Sequence, residues 1–253
     1  MLNNAIVGYS GFVGLNLNKK IKAKYLYNSK NIEDIKGKNF NKLYICAPHA
    51  QKWLANKKPK MDNDQVNKLI ANLKKTSAKK VIYISTVDVF HEIINKNEKS
   101  KINKRKKNIY GKNRFKIEEF IKRKFKEYYI LRLPALFGKG LKKNILFDLI
   151  NNNNLSDIKV FSKYQWFNID DLNRCINLVI KKKIKCINLV SEPIHTFELI
   201  SKFFPNKLLK CNLNDIGIKY DLHTIYSQKF NNKNGYINSK KQILIKIKKF
   251  LSK

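Results

Sequence analysis

Tyr110 and Arg114, in NIYGKNRFKIEEF (108–120), have the types and spacing of a proton-transferring pair. A tyrosine hydroxyl, with a free pKa of about 10, needs a neighbouring cation to exchange protons near neutral pH. On a helix, i+4 returns to nearly the same face, offset by about 40°, so Arg114 stands beside Tyr110. Lys112 points about 200° away and Lys116 about 240° away, so neither substitutes. A guanidinium stabilises a phenolate by charge and can donate to ribose hydroxyls. It does not deprotonate, so it cannot pass a proton on. The plain alternative is an exposed i,i+4 pair on a solvated helix.

Two more candidate features precede this pair. Thr86 ends the apolar run KKVIYIST (79–86). A hydroxyl at the C-terminal end of a buried strand lies where parallel α/β sheets bind ligands, and it can hydrogen-bond a substrate oxygen. A strand-end cap is the alternative. Gly8, Gly11 and Gly14 form G-x-x-G-x-x-G directly after the first apolar run, NAIVG. Glycines so placed allow a tight turn and close backbone approach to a pyrophosphate, which then faces a helix N-terminus. A dinucleotide site formed by Gly8, Ser10, Gly11, Phe12, Val13 and Gly14 is therefore expected. The second apolar run ends in YNSKN. NAD sites carry an acidic residue there for the ribose 2′-hydroxyl. This chain has Asn28, Ser29 and Lys30, and a hydroxyl with a cation suits a 2′-phosphate. The expected cofactor is NAD(P), with NADP slightly favoured over NAD; a turn-forming N-S-K with a solvated lysine is the alternative.

The elements that must position these groups alternate along the chain. Strands are expected at 4–8, 23–28, 41–47, 79–86 and 128–133. Helices are expected through about Ile21, from about Asn63 to Lys75, and from Tyr110 to about Lys126. A polar, Trp-containing segment follows the third strand, and a very polar loop spans 95–108. Apolar strands without alternation, separated by helices, indicate a parallel sheet covered on both faces. After Pro134 the rhythm changes. A loop (ALFGKGLKKN) leads to a helix stopped by an Asn run, then to the extended stretch DIKVFSKYQWFN. An amphipathic helix (IDDLNRCINLVIKK), a buried strand (KCINLVS) and a mixed tail follow. The expected fold is α/β, a Rossmann-type doubly wound parallel sheet with a small C-terminal substrate-binding lobe. The core takes 1–134 and about 168–190; the reduced lobe takes 135–167 and 191–253.

Composition bounds the function classes. The 253 residues carry 54 basic and 18 acidic side chains, a net charge of +36. Nucleic acid or an anionic membrane is the first thought. Only five of the basic residues are arginines and 49 are lysines, whereas base and phosphate readers lean on the arginine fork. Abundant Lys, Asn and Ile point instead to an A+T-rich coding bias that loads lysine onto solvated faces. No specific nucleic-acid partner and no membrane partner is expected. Cys46, Cys175, Cys186 and Cys211 form no C-x-x-C and read as buried free thiols of a cytoplasmic protein. His49, His91, His195 and His223 show no metal-ligand spacing, so no metal is expected. Trp53 and Trp166 can stack on a base or sugar, though core or rim packing is favoured. The basic loop KSKINKRKKN (99–108) is read as solvated, with closure over a phosphorylated substrate as the alternative.

GYSGFVG, ISTVDVF, YGKNR and LRLPALFG together resemble the extended short-chain dehydrogenase/reductase superfamily, of the NAD(P)-dependent epimerase/dehydratase type. Order and spacing agree from the N-terminus to about Gly138 and more loosely beyond. The resemblance implies that Thr86 polarises the substrate oxygen, Tyr110 transfers its proton and Arg114 takes the role of a lysine. It implies that Ala47 and Pro48 line the cofactor, that Tyr110 and Arg114 also face it, and that the loop with Pro134 lies by the nicotinamide. Asp88 and Trp166 are the candidates for substrate contacts. The substrate implied is a small molecule, a nucleotide-linked sugar. Where dehydratases carry an Asp-Glu pair after the threonine, this chain has Val87-Asp88. That disfavours dehydration and leaves carbonyl reduction, carbinol oxidation and epimerisation. The alternatives are a dinucleotide-binding sensor without turnover and, on charge alone, a nucleic-acid binder. A homodimer is left open.

Overall fold

The computed structural model describes residues 3–103, 108–207 and 216–252. Residues 104–107 of the basic loop, and Cys211, lie outside the described residues. The chain divides into two compact units. The first comprises 1–91, 101–132 and 170–187, and the second 92–100, 133–169 and 188–253. Residues 92–100 thus belong with the C-terminal unit, not with the core to which the sequence had given them.

The first unit is built on β1 (Asn4–Val7), β2 (Tyr25–Tyr27), β3 (Asn39–Ile45), β4 (Ser77–Thr86), β5 (Tyr128–Leu133) and β9 (Cys186–Asn188). These form one sheet in the order β2-β1-β3-β4-β5-β9. The pairs β1–β2, β1–β3 and β3–β4 are parallel, in registers that match Val7 with Tyr27, Val7 with Ile45 and Ile45 with Tyr83. Gly8, Cys46 and Thr86 therefore follow or end strands along the same sheet edge. Every residue of β1 is buried, as expected of a strand covered on both faces. The helices of this unit are α1 (Phe12–Ile21), α2 (Lys52–Lys57), α3 (Pro59–Lys74), α4 (Ile109–Lys124) and α6 (Leu172–Lys181).

The second unit holds β6 (Ala135–Phe137), β7 (Lys163–Tyr164), β8 (Trp166–Asn168), β10 (Ile194–His195), α5 (Ile145–Asn151), α7 (Thr196–Phe203) and α8 (Lys240–Leu251). β6 pairs with β8 and β7 with β10. Its core gathers Phe137, Leu146, Trp166, Leu199 and Ile243. Part of the expected loop after Pro134 is the strand β6.

Two departures from the sequence expectation matter for the site. The Trp-containing segment after β3 is the short helix α2. Helix α3 begins at Pro59, four residues before Asn63; proline at the first helical position loses nothing there and has the right φ. Both changes bring new side chains toward α4.

Helix α4 opens on Asn108, whose side chain accepts from Gly111 N at 3.2 Å. Three basic residues, Lys122, Arg123 and Lys124, close it, where the helix dipole favours them. Its buried face includes a polar ridge of Tyr110, Arg114 and Glu118 at successive i+4 steps, and each charge on it is matched. Arg114 Nη1 donates to both carboxylate oxygens of Asp62 on α3, at 2.7 and 2.6 Å. Asn113 donates to the same carboxylate at 2.7 Å. Glu118 accepts from Arg132 of β5, at 2.9 and 2.6 Å, and from Ser85 Oγ at 2.6 Å. Gly111 lets the helix come this close: a Cβ there would stand 1.8 Å from the Asp88 carbonyl oxygen.

Two outcomes follow. Gly111→Ala forces α4 off the turn after β4 and should cost about 3 kcal/mol, the upper end for overpacking, read as a lower urea midpoint. Arg114→Met leaves Asp62 buried without its cation and should cost about 3–5 kcal/mol, while Arg114→Met combined with Asp62→Leu should recover part of the loss.

Candidate active site

Tyr110, in the first turn of α4, faces Thr86 at the end of β4, and the Thr86 hydroxyl lies close enough to favour its phenolate. Thr86 Oγ1 also accepts from the backbone N of Asp88 at 3.1 Å and donates to its Oδ2 at 3.4 Å. Thr86 thus makes the strand-end cap that the sequence offered as the alternative reading. Asp88 Oδ1 accepts from Lys52 Nζ of α2 at 2.6 Å. A second residue of α2, Asn56, accepts from the backbone N of Tyr110 at 3.2 Å, meeting a first-turn donor that has no partner within the helix.

Arg114 lies beside Tyr110, as the i+4 geometry requires, with its guanidinium carbon 4.0 Å from the phenol ring centroid. It sits over the ring. Its side chain is 4% exposed. Nη1 is taken by Asp62, and Nη2 donates to the carbonyl oxygen of His49. The protein thus takes Nη1 and one N–H of Nη2, and the guanidinium places a fixed positive charge over the phenol.

The balance of these neighbours sets the acidity of Tyr110. Burial pushes its pKa up to about 12 because the phenolate loses solvation. Arg114 pulls in the opposite direction, Asp88 adds to the rise, the Thr86 hydroxyl lowers it, and Asp62 raises it. Burial wins, so Tyr110 is a neutral phenol near pH 7 and a proton donor.

The glycine turn stands where the sequence put it. Gly8, at φ +84°, closes onto β2 through its N–H to the Tyr27 carbonyl at 2.7 Å. A Cβ on Gly14 would stand 2.1 Å from the Gly8 carbonyl oxygen, so α1 packs directly on the turn. Gly11 is the N-cap of α1; no side chain caps that end and no acidic residue lies in its first turn. Ser10 is exposed, and Phe12 and Val13 open the helix. At the end of β2, Asn28 Oδ1 accepts from Lys30 N at 2.9 Å and its Nδ2 reaches Tyr9 Oη at 3.3 Å. Ser29 and Lys30 are exposed in that turn, next to the glycine turn through Tyr9. Ala47 and Pro48 follow β3, half-buried.

Two candidates fall elsewhere. Pro134 lies in the second unit, between β5 and β6. Trp166 is in that unit's core, 3% exposed, edge-on to Phe137 with ring centroids 6.4 Å apart, which corrects the expectation of a substrate contact. A cavity of about 460 Å³ in the first unit is lined by Asp88, Asn108, Lys112 and Asn113 among others, but not by Thr86 or Tyr110. Among the described cysteines, Cys175 is buried and Cys46 and Cys186 are half-buried, and none is in a disulfide. Among the described residues no His, Cys, Asp or Glu cluster could hold a metal, and no helix is long and apolar enough to cross a membrane.

Asp62, Lys52 and Asn56 were missed by the sequence reasoning. Asp62 had one available signal: it is an acid three residues beyond Pro59, a helix-starting residue.

Comparison with known proteins agrees with this architecture. The family model described as the RmlD substrate binding domain matches residues 5–165. No curated protein matches the sequence. A dTDP-4-dehydrorhamnose reductase from Yersinia enterocolitica superposes with a TM-score of 0.71 at 14% identity, over 100% of this chain and 99% of that one. The reductase of the same name from Bacillus anthracis, solved with NADP, gives 0.64 at 19% identity, over 99% and 94%. A UDP-glucose 4-epimerase from Thermotoga maritima, solved with UDP-glucose, gives 0.67 at 14% identity, over 90% and 92%. At these identities the structures speak to the fold, and the family model to kinship: the chain belongs to the RmlD substrate-binding-domain family, within the extended short-chain dehydrogenase/reductase superfamily.

Proposed function

We propose that the protein is an NAD(P)-dependent oxidoreductase or epimerase that transfers a hydride to or from a carbonyl or carbinol carbon of a nucleotide-linked sugar. The observation that carries this is the Thr86–Tyr110 hydroxyl pair at the end of β4, backed by a guanidinium. The names of the similar solved structures, sugar-nucleotide reductases and epimerases, support the substrate class.

The residues around the glycine turn fit a dinucleotide. The uncapped N-terminus of α1 offers backbone N–H groups to a pyrophosphate, and the missing Cβ atoms at Gly8 and Gly14 keep the backbone close. Asn28, Ser29 and Lys30 would meet the adenosine ribose, and exposed Ser29 and Lys30 favour a 2′-phosphate. Ala47 and Pro48 would line the same site; Pro134 is assigned to it on the resemblance alone. When bound, the dinucleotide supplies or accepts the hydride. Thr86 would hold the substrate oxygen, Tyr110 would give it a proton, and Arg114 would keep a positive charge against the phenol face. The second unit is assigned the substrate-binding role.

The direction of the Tyr110 shift sets the pH behaviour. A phenol raised to about 12 stays protonated across the neutral range. The reduction direction should therefore be insensitive to Tyr110 ionisation between about pH 6 and 9, while the oxidation direction, which needs the phenolate, should speed up as pH rises.

Two measurements test this reading. Fluorescence titration should show NADPH binding, tighter than NADH, with Lys30→Glu weakening NADPH about tenfold and sparing NADH. A panel of keto-sugar nucleotides should support turnover that Tyr110→Phe reduces by about 10²–10⁴-fold, with dinucleotide affinity retained. Failure to bind either dinucleotide sinks the proposal; binding without hydride transfer to any substrate makes the protein a dinucleotide sensor.

A further inference from the structure

Taking Tyr110 as the proton donor leaves a gap. After each proton transfer its phenolate must be reprotonated, and Arg114, which would stand in the lysine's place, does not deprotonate. We propose that Lys52, on α2, supplies this proton and reaches Tyr110 through Asp88 and Thr86. This rests on the function proposed above.

The geometry is a run of polar contacts within the first unit, from Lys52 through Asp88 to Thr86 beside Tyr110. Lys52 Nζ donates to Asp88 Oδ1 at 2.6 Å. Thr86 Oγ1 donates to Asp88 Oδ2 at 3.4 Å. The Thr86 hydroxyl lies beside that of Tyr110. Exposure rises along it: Tyr110 is 7% exposed and Thr86 8%, the Asp88 side chain 15% and the Lys52 side chain 40%. The inner end is dry and the outer end exchanges with water, which gives the chain a direction.

Among the described residues, no other group facing Tyr110 can do this. On its own helix Arg114 does not release a proton. From α3, Asp62 accepts from Arg114 and Asn113 and is buried with them. From β4, Tyr83 is fully buried, and burial raises its phenol well above the usual range. From the loop after β3, His49 meets Arg114 through its backbone carbonyl. Asp88 alone would be a carboxylate near a phenol that must become an anion, and it pushes the phenol pKa up. Lys52 matches that charge. Arg114 with Asp62, and Lys52 with Asp88, make the surroundings of Tyr110 neutral in sum.

The step balances without an oxidant or reductant. The Tyr110 O–H bond breaks as its proton passes to the substrate oxygen. The phenolate takes the Thr86 hydroxyl proton, and Thr86 takes one from the Asp88 carboxyl. That carboxyl received it from the Lys52 ammonium and turned about its Cβ–Cγ bond. One Lys52 N–H is broken, one Tyr110 O–H is restored, and the Lys52 amine recovers its proton from water. In the oxidation direction the same path runs outward.

The test compares Lys52→Met and Lys52→Arg with the parent protein, using a keto-sugar nucleotide the parent reduces. Lys52→Arg keeps the charge but puts there a cation that does not give up its proton near neutral pH. Both variants should bind NADPH as the parent does and lose turnover by roughly tenfold or more. Methylammonium added to the buffer should restore Lys52→Met several-fold by acting as a diffusible proton donor, and should do nothing for the parent. Lys52→Arg at full rate, or a loss in Lys52→Met that methylammonium does not recover, overturns the inference. A parent protein that transfers no hydride overturns the function proposed above, and this inference with it. A parent that turns over while both variants match it overturns this inference alone.

Discussion

A guanidinium that cannot lose its proton and hardly touches water has to be matched where it stands. Arg114 is in that position, and the architecture around it follows from the need to match it. Its charge requires a buried carboxylate, and Asp62 provides one only because α3 begins early enough to carry that residue in its first turn. Its second terminal nitrogen requires an acceptor, and the His49 carbonyl provides one from the loop after β3. The cost of burying an ion is several kcal/mol, so these partners are obligatory. Two segments that differ in sequence position are thereby fixed to the first turns of α4, where Tyr110 sits.

The same constraint explains why Tyr110 is an acid rather than a base at rest. A bare cation 4 Å from a phenol would favour the phenolate strongly in a dry site. Here desolvation outweighs the pull of that cation, Asp88 opposes it from the turn after β4, and Asp62 adds the smallest rise, so the hydroxyl stays protonated. Its position contributes in another way. With its central carbon 4.0 Å from the ring centroid, the guanidinium sits over the ring and leaves the hydroxyl to Thr86.

Much of the scaffold was legible because its signals are periodic. Buried strands such as NAIV and YYILRL have no polar face, and the glycine turn follows the first of them directly. The spacing of Tyr110 and Arg114 placed both on one face of a helix. The groups that complete the site were hidden for physical reasons. Helix α2 has six residues, no side-chain cap and too few apolar positions for a period, so Lys52 and Asn56 looked like loop residues. Asp62 looked like one more polar residue ahead of a helix expected from Asn63. Burial of an acid is decided by its partner, and that partner lies 52 residues away. Trp166 shows the opposite limit: an aromatic that can stack on a sugar is read from type alone, whereas its place in a core depends on Phe137 and the second unit's fold.

The chain's composition sharpens what Arg114 is for. With 49 lysines and five arginines, a positive charge here is ordinarily a lysine on a solvated face. Of the four arginines among the described residues, two are instead buried against carboxylates: Arg114 on Asp62, and Arg132 on Glu118 through Nε and Nη2. Both positions ask for several donors in one rigid plane, and both side chains lie over an aromatic ring, of Tyr110 and of Phe90. A lysine has the charge but not the plane: its single ammonium could not hold Asp62 and the His49 carbonyl while sitting over the phenol. What arginine adds in geometry it removes in chemistry, because it holds its proton permanently. On the function proposed, a site that fixes its cation this way would take its exchangeable proton from another element, and the lysine paired with Asp88 is on α2.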